Sequence, residues 1–410
     1  MMRVGIAVVI AGLLLPPVAR ADSRYSLRGA GESLSSMYAE SRALGGAQTA
    51  TDTPGLAGNP ACAAFAEKGV FYGTYETEWI RVDEPKPSGG RKVLKEYSGV
   101  VPNLGVLYPL PGGVVFGTGL HVERRRGGTI EMAATDSMVA AIGGQEYQFI
   151  YEASGNALRI PAVAALRVGP VQAGVGADVV LVNSRERWQN DFPTGSGFED
   201  SNDLTFSSLW AVGLRAGLRV PVGDRLSLGA WASLPGDLSG SRRFENDDPL
   251  DNSDDLEVDA SGELPRVWSA GFEARPWPRV RVLGDWVREG WSEVTPSAPE
   301  VVHRDVDRFG FGVEVTPPER GGLRWPVRFG FRTEPLHALD SEGREIRETF
   351  LTAGSGLRFS GGRGLFDWFV EYGWRGEKDE SEFREDVFRF GITLTGFEAW
   401  TRRPPPEEDW

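Results

Sequence analysis

The sequence predicts an all-β chain, a transmembrane antiparallel β-barrel of about fourteen strands with an N-terminal segment that plugs it. Three observations carry this expectation. The chain opens on an export signal and contains no later run apolar enough for a membrane-spanning helix. Strict alternation of apolar and polar residues recurs along most of its length. The connections between the alternating stretches switch regularly between short turns and long polar loops.

The first element is the signal, residues 1–21. Arg3 supplies the positive start, residues 4–15 form the apolar run, and Ala19-Arg20-Ala21 is a small-x-small cleavage site that leaves Asp22 as the mature N-terminus. The run is shorter than the roughly 20 residues a membrane-spanning helix needs, and Pro16 and Pro17 interrupt it. Cys62 lies far downstream, so there is no lipoprotein box. An exported chain of this kind is either soluble or a barrel. The 53 glycines, 13 tryptophans and 21 phenylalanines suit barrel walls and interfacial girdles. A single cysteine excludes an internal disulfide framework. The net charge of -14 argues against a nucleic-acid partner.

The barrel is expected over residues 70–397. Phe388, Phe390, Ile392 and Leu394 alternate with Arg389, Gly391, Thr393 and Thr395. Phe366, Trp368, Val370, Tyr372 and Trp374 alternate with Asp367, Glu371, Gly373 and Arg375. Phe309, Phe311, Val313 and Val315 stand against Arg308, Gly310, Gly312 and Glu314, and Val327, Phe329 and Phe331 against Arg328, Gly330 and Arg332. A soluble sandwich turns the apolar face inward and a membrane barrel turns it outward, so alternation alone does not choose between them. Segment length does. The stretches run about 10 to 13 residues, long enough for a tilted bilayer crossing, where soluble strands average about 5 to 6. Strands are placed at 70–82, 98–109, 113–124, 158–168, 171–183, 205–220, 224–235, 262–275, 278–291, 305–316, 324–334, 347–359, 363–375 and 385–397. Short turns fall near 111–112, 169–170, 221–224, 275–278, 317–322 and 361–363, and long loops near 83–97, 125–157, 184–204, 236–261, 291–304, 335–346 and 376–384. An even strand count puts both termini on the periplasmic side of a bacterial outer membrane. Residues 398–410 form a periplasmic tail, and outer-membrane lipid and lipopolysaccharide surround the wall.

Residues 22–69 precede the first strand. A short helix is expected over 33–44, with Leu34, Met37 and Tyr38 on one side, followed by a stretch rich in Gly, Ala and Thr that is too small-residued to form a core of its own. The barrel lumen is its expected partner. Ser41-Arg42-Ala43-Leu44-Gly45-Gly46-Ala47, Thr49-Ala50, Asp52 and Asn59-Pro60-Ala61 resemble the plug signature of the FadL-type outer-membrane transporters. The resemblance implies a fourteen-stranded barrel closed by an N-terminal hatch that carries the Asn-Pro-Ala motif. The activity it implies is passive transport of long-chain fatty acids or other hydrophobic or amphipathic small molecules, which leave sideways through a gap in the wall. It also implies an external apolar groove that first captures ligand, for which Ile130, Met132, Met138, Val139 and Ile142 are the candidates. The sequence departs from the family pattern at Leu56, Ala57 and Gly58, at Cys62 where Gly is common, and in its C-terminal tail. A related signature occurs in barrels that take part in protein secretion. A plugged barrel that docks envelope or secreted proteins is therefore the alternative, and a protein partner stays open.

Other chemistry is sparse. His121, His303 and His337 belong to no metal-binding motif, there is no nucleophile elbow, and Gly174-Val175-Gly176 and Gly310-Phe311-Gly312 lack the third glycine of a nucleotide loop. No enzyme, metal or cofactor is expected, although His121 on an inward position leaves a rim hydrolase open. Glu245, Asp247, Asp248, Asp251, Asp254 and Asp255 cluster in one loop without the central glycine of a calcium loop. Arg159, Arg215, Arg308, Arg328 and Arg332 fall on inward positions, where they would meet a ligand carboxylate or pair with acids such as Glu314, Asp367 and Glu371.

Overall fold

The computed structural model describes residues 23–34, 38–85, 90–134, 139–140, 144, 146–246, 256–295, 302–318, 325–340, 342–359, 363–377 and 383–398. The signal segment, Met37 and the tail from residue 399 on lie outside them, as do most of the acidic loop, Met138 and Ile142.

After a two-residue strand β1 (Glu32–Ser33) and one helical turn α1 (Ala39–Ala43) comes the wall. Its strands are β2 (Gly69–Pro85), β3 (Arg91–Pro109), β4 (Val114–Ala133), β5 (Gln148–Val168), β6 (Val171–Asp191) and β7 (Ser201–Val222). They continue with β8 (Leu226–Leu234), β9 (Leu238–Asn246), β10 (Leu256–Gly262), β11 (Val267–Trp277), β12 (Val280–Glu289) and β13 (Val306–Val315). The last are β14 (Val327–Pro335), β15 (Arg347–Phe359), β16 (Gly364–Arg375) and β17 (Arg384–Glu398). Neighbours pair antiparallel in chain order, and β17 pairs back onto β2 from Arg384↔Asp83 to Glu398↔Gly69, which closes the barrel. β8 and β9 both pair with β7, interrupted at Pro235-Gly236-Asp237, and β11 and β10 pair with them in turn. Each of these two pairs is therefore one stave, and the barrel has fourteen. Closure pairs the last stave with the first, the condition for a sheet in lipid.

The faces are those of a barrel turned apolar side out. Phe309, Phe311, Phe329, Phe331, Leu351, Phe388 and Leu394 are exposed, whereas Arg328, Arg332, Asp367, Glu371, Arg375 and Arg389 are buried. No helix among the described residues is long and apolar enough to cross a membrane.

Three sequence expectations need correction. Strands β4 to β7 run 20, 21, 21 and 22 residues, well beyond a bilayer crossing. Much of what reads as loop at 125–157, 184–204 and 236–261 is ladder. On β6 the outward residues change from Val175 and Val179 to Asn183, Arg185 and Arg187, so the upper wall is polar outside as well as inside and the alternation fades. The helix expected over 33–44 is confined to Ala39–Ala43, because Ser33 is spent in β1 opposite Arg124 and Gly45 and Gly46 take positive φ at the helix end. The ends of the described chain do not share a side. Glu398 lies at the short-turn end, while Ser23 bonds Glu385 at the long-loop end, because the N-terminal segment threads the full height of the lumen before β2 begins.

Val175 is 60% exposed on the outward face within the apolar band, and Asn183 lies eight residues higher on the same strand and face. Val175→Arg is expected to destabilise the barrel by about 2 to 4 kcal/mol in lipid and Asn183→Arg by about 0 to 1. Urea midpoints in bilayers of the two variants check this, and equal midpoints would show that the apolar band does not meet lipid.

Candidate functional site: the segment in the lumen and the cavities beside it

Residues 23–66 lie inside the wall, held at three heights. At the long-loop end Ser23 Oγ and Arg24 N donate to Glu385 at 2.8 and 2.7 Å, and Arg24 Nε donates to Glu84 at 2.8 Å. Glu32 takes guanidinium contacts from both Arg375 and Arg389 and lies 3.6 Å from Arg125. At mid-height Ala39 N donates to Thr393 Oγ1 (2.8 Å), and Arg42 forks onto Glu371 (2.8 and 2.6 Å) above the Phe369 ring. Glu40 meets the Arg281 guanidinium and lies 3.9 Å from that of Arg328. Asp285 accepts from the amides of Gln48 and Thr49 and from the Thr49 hydroxyl, at 2.7 to 2.8 Å.

Asn59 sits near the short-turn end. It caps the 3-10 turn Pro60–Phe65, its Oδ1 accepting from Ala61 N at 3.0 Å, with Pro60 in the first helical position. Its Nδ2 donates to Thr49 O (2.8 Å) within the segment and to Leu218 O (2.9 Å) on the wall. Gly217 permits this approach, since a Cβ there would stand 2.0 Å from Asn59 Oδ1. Beside it Arg215 donates to the carbonyls of Leu56, Ala57 and Gly58 at 2.9 to 3.1 Å, and Arg219 donates to Ala50 O at 2.7 Å.

The wall has a seam. The β3–β4 ladder runs from Pro109↔Val115 only to Asn103↔His121, although both strands continue towards the long-loop end. Above a bulge between Val122 and Arg124, β1 pairs with β4 instead (Glu32↔Arg125, Ser33↔Arg124), and Leu34 N donates to Glu123 O at 2.8 Å. The N-terminal segment thus supplies ladder partners to β4 where β3 does not.

Two cavities flank the segment. One of about 510 Å³ opens towards the short turns, between Glu40, Asp52, Phe65, Arg328, Asp367 and Phe397. The other, about 130 Å³, lies deeper, between Leu34 and Ala57 of the segment and Arg159, Val180, Trp231 and Leu264 of the wall.

The five inward arginines do not converge on one site. Arg159 pairs with Glu123, Arg215 with Asp178 (3.1 Å), Arg308 with Glu334 (3.5 Å), and Arg328 with Glu314 (2.7 Å) and Asp367 (2.6 Å). Arg332 lies within 3.9 Å of Glu334, Glu348 and Glu371. Of the residues proposed for a capture groove, Ile130 packs beside Leu27 and Tyr151, and Met132 is exposed at the upper end of β4. Val139 lies between β4 and β5, and Met138 and Ile142 fall outside the described residues. His121 is fully buried at the seam with its Nε2 3.3 Å from the Tyr72 hydroxyl. His303 and His337 pack around Trp291 at the long-loop end, where His337 Nε2 accepts from Ala30 N at 2.9 Å. Glu32, Asp285 and Arg219 were not singled out from the sequence. Their signal was an inward charge on a strand, or an acid in the N-terminal segment, with nothing to say which partner it meets.

No family model and no curated relative matches the chain. Among solved structures it resembles the Pseudomonas putida toluene transporter TodX, with TM-score 0.61 and 15% identity over 90% of this chain and 100% of that one. The Ralstonia pickettii toluene transporter TbuX gives 0.59 and 18% over 89% and 99%. A Pseudomonas aeruginosa FadL homologue gives 0.57 and 13% over 93% and 100%. The chain has the fold of these proteins over nearly its whole described length.

Asn59→Ala removes donors to Thr49 O and Leu218 O and the cap on Ala61 N. The expected loss is about 1 to 3 kcal/mol in the hold on the segment, with the closed wall intact. Limited proteolysis should then cut within 38–66 faster, while heat-modifiable gel migration stays unchanged. Equal cutting rates would show that Asn59 is not an anchor.

Proposed function

We propose that the chain is a FadL-type outer-membrane channel that passes small hydrophobic or amphipathic molecules passively, without an energy source and without catalysis. The observation that carries this reading is a seam in the wall crossed by the N-terminal segment, with one cavity beside that crossing and a second that opens towards the short turns. Such an arrangement gives an apolar molecule a way into the barrel and sideways out of it. The long loops then face outward from the cell, and residues 38–66 act as the hatch. Transfer of ligand from water is favoured by about 0.8 kcal/mol per buried CH₂, which is enough to drive capture down a gradient. β1 is the movable part. It bonds the β4 edge at only two residue pairs, so its displacement opens the seam at small loss in ladder but must part Glu32 from Arg375 and Arg389. The toluene transporters among the structural neighbours favour compact ligands, and the resemblance of residues 41–61 to the FadL-type plug keeps long-chain fatty acids in view.

A second reading has its own support. The lumen is crossed by buried ion pairs, such as Arg42 with Glu371 and Arg389 with Glu78, and a plugged barrel used to dock envelope or secreted proteins needs no apolar path. Uptake by proteoliposomes separates the two. The channel passes toluene or a labelled fatty acid faster than empty vesicles do, and the scaffold passes neither.

The seam offers a direct test in a chain with Cys62→Ser. Cysteines at Ser33 and Arg124, which stand opposite each other in the β1–β4 ladder, can be joined by oxidation. Uptake by that variant should fall at least several-fold on oxidation and return on reduction, read in the same protein preparation. Unchanged uptake in the oxidised form would remove β1 from the path.

A further inference from the structure

We infer that His337 makes the hold on the N-terminal segment acid-sensitive: its neutral ring latches the backbone at Ala30, and protonation of that ring in mildly acidic medium frees residues 28–31, which lead directly into β1. The consequence for the seam rests on the channel reading and adds regulation to it.

The latch is a backbone contact. His337 Nε2 accepts from Ala30 N at 2.9 Å, across 307 positions of chain. A ring nitrogen that accepts carries no proton, whereas both nitrogens of an imidazolium are donors. Protonation of His337 therefore turns an acceptor into a second donor facing an amide. Gly29 lets the backbone come this close. Its φ is +54°, and a Cβ there would stand 2.6 Å from His337 Nε2 and 3.3 Å from His303 Nε2. His303 Nε2 is buried with no hydrogen-bond partner, and its Nδ1 lies 3.3 Å from Val294 O. Two ring nitrogens thus face the same short stretch of the segment.

The surroundings do not welcome a cation. His337 is 6% exposed, with its ring 4.5 Å from that of Trp291 and 5.7 Å from that of His303. Arg124 of β4 already lies over the Trp291 ring at 4.4 Å. Glu289, Glu334 and Glu348 line a small cavity beside His337, but they face Arg124 (2.5 Å), Arg308 (3.5 Å) and Arg375 (2.7 Å). Glu32 is taken by Arg375 and Arg389. On the two connections that hold the rings, Arg304 pairs with Glu345 and Arg344 with Asp340, and Arg28 of the segment donates to Leu339 O at 3.2 Å. Burial first, then the Arg124 guanidinium and His303, push the His337 imidazole well below the usual histidine range. Burial and Arg124 lower His303 as well, against its contact with Val294 O. The latched form therefore binds a proton less readily than the released form, whose rings return to about 6.5. The hold is complete above that pH and weakens as pH falls below it, by up to about tenfold per pH unit for each ring.

Hydrogen exchange of the full chain in lipid nanodiscs, followed by mass spectrometry and corrected for the intrinsic pH dependence of exchange, measures the hold. Between about pH 8 and about pH 5, protection over residues 28–31 should fall at least about tenfold, while protection of β16 stays constant. His337→Gln puts a non-titrating amide oxygen in place of Nε2 and should keep at the lower pH the protection it has at the higher. His337→Ala has no acceptor and should exchange fast at both. Heat-modifiable migration verifies that each variant is folded. Constant protection in the wild type, or the same acid-induced fall in His337→Gln, would overturn the latch. Toluene, uncharged at either pH, then reads the seam: its uptake by proteoliposomes should be faster in acid for the wild type and independent of pH for His337→Gln. Release without faster uptake would overturn the link to the seam. No toluene uptake at any pH would end the channel reading and leave the latch standing on exchange alone.

Discussion

Glu32 is a carboxylate from the N-terminal segment placed among Arg375, Arg389 and Arg125 of three different staves, and the pairing it represents governs the rest of the interior. A barrel that faces lipid must put its charges inside, and a charge taken out of water is stable only against an opposite one. The wall and the segment meet this condition jointly. Arg375 also reaches Glu348 and Glu385, Arg389 reaches Glu78, and Arg42 of the segment reaches Glu371 and Glu76 of the wall. Taking one partner from such a set typically costs about 3 to 5 kcal/mol. The N-terminal segment is therefore part of the electrostatic balance of the barrel, and the interior cannot be treated as an empty pipe with a loose stopper.

The same balance decides where an apolar molecule can travel. On the side of β13 to β17 the lumen is packed with ion pairs and with Phe350 and Phe369, both fully buried against guanidiniums. The smaller cavity lies on the other side, along β4 to β8, where the segment supplies small residues such as Ala57 and where the wall is interrupted at Pro235-Gly236-Asp237. The seam between β3 and β4 borders this half as well. The seam and the smaller cavity thus share one side, while the larger cavity opens towards the short turns on the other, beside Arg328, Asp367 and Phe397.

Individual elements differ in how legible they were. The outward face of β13, Phe309 and Phe311, and the inward charges of β14, Arg328 and Arg332, could be read from alternation, since a period of two fixes which residues share a face. The upper half of β6 could not, because from Asn183 to Arg187 both faces are polar and hydrophobic contrast, the quantity that alternation reports, vanishes. Phe369 breaks the pattern of its own strand. It is an aromatic on the charged face, buried by Ala39 and Ala43 of α1, and nothing local announces that partner. The role of Arg215 was open between ligand contact and ion pairing. Its contacts to three successive carbonyls of the segment belong to neither description and depend on where residues 56–58 come to rest.

What the sequence determined by itself is the set of properties local to the strand: period, inside and outside, the order of short and long connections, and the Asn-Pro pair that caps its own turn at residue 60. Each follows from bonds and contacts within a few residues. The tertiary structure alone decided which charges meet and that the N-terminal segment runs from the long-loop end to the short-turn end. It also decided that β1 takes the place of β3 on the edge of β4. These facts join residues tens to hundreds of positions apart, and they are set by closure of the barrel, which brings every stave to face a common interior.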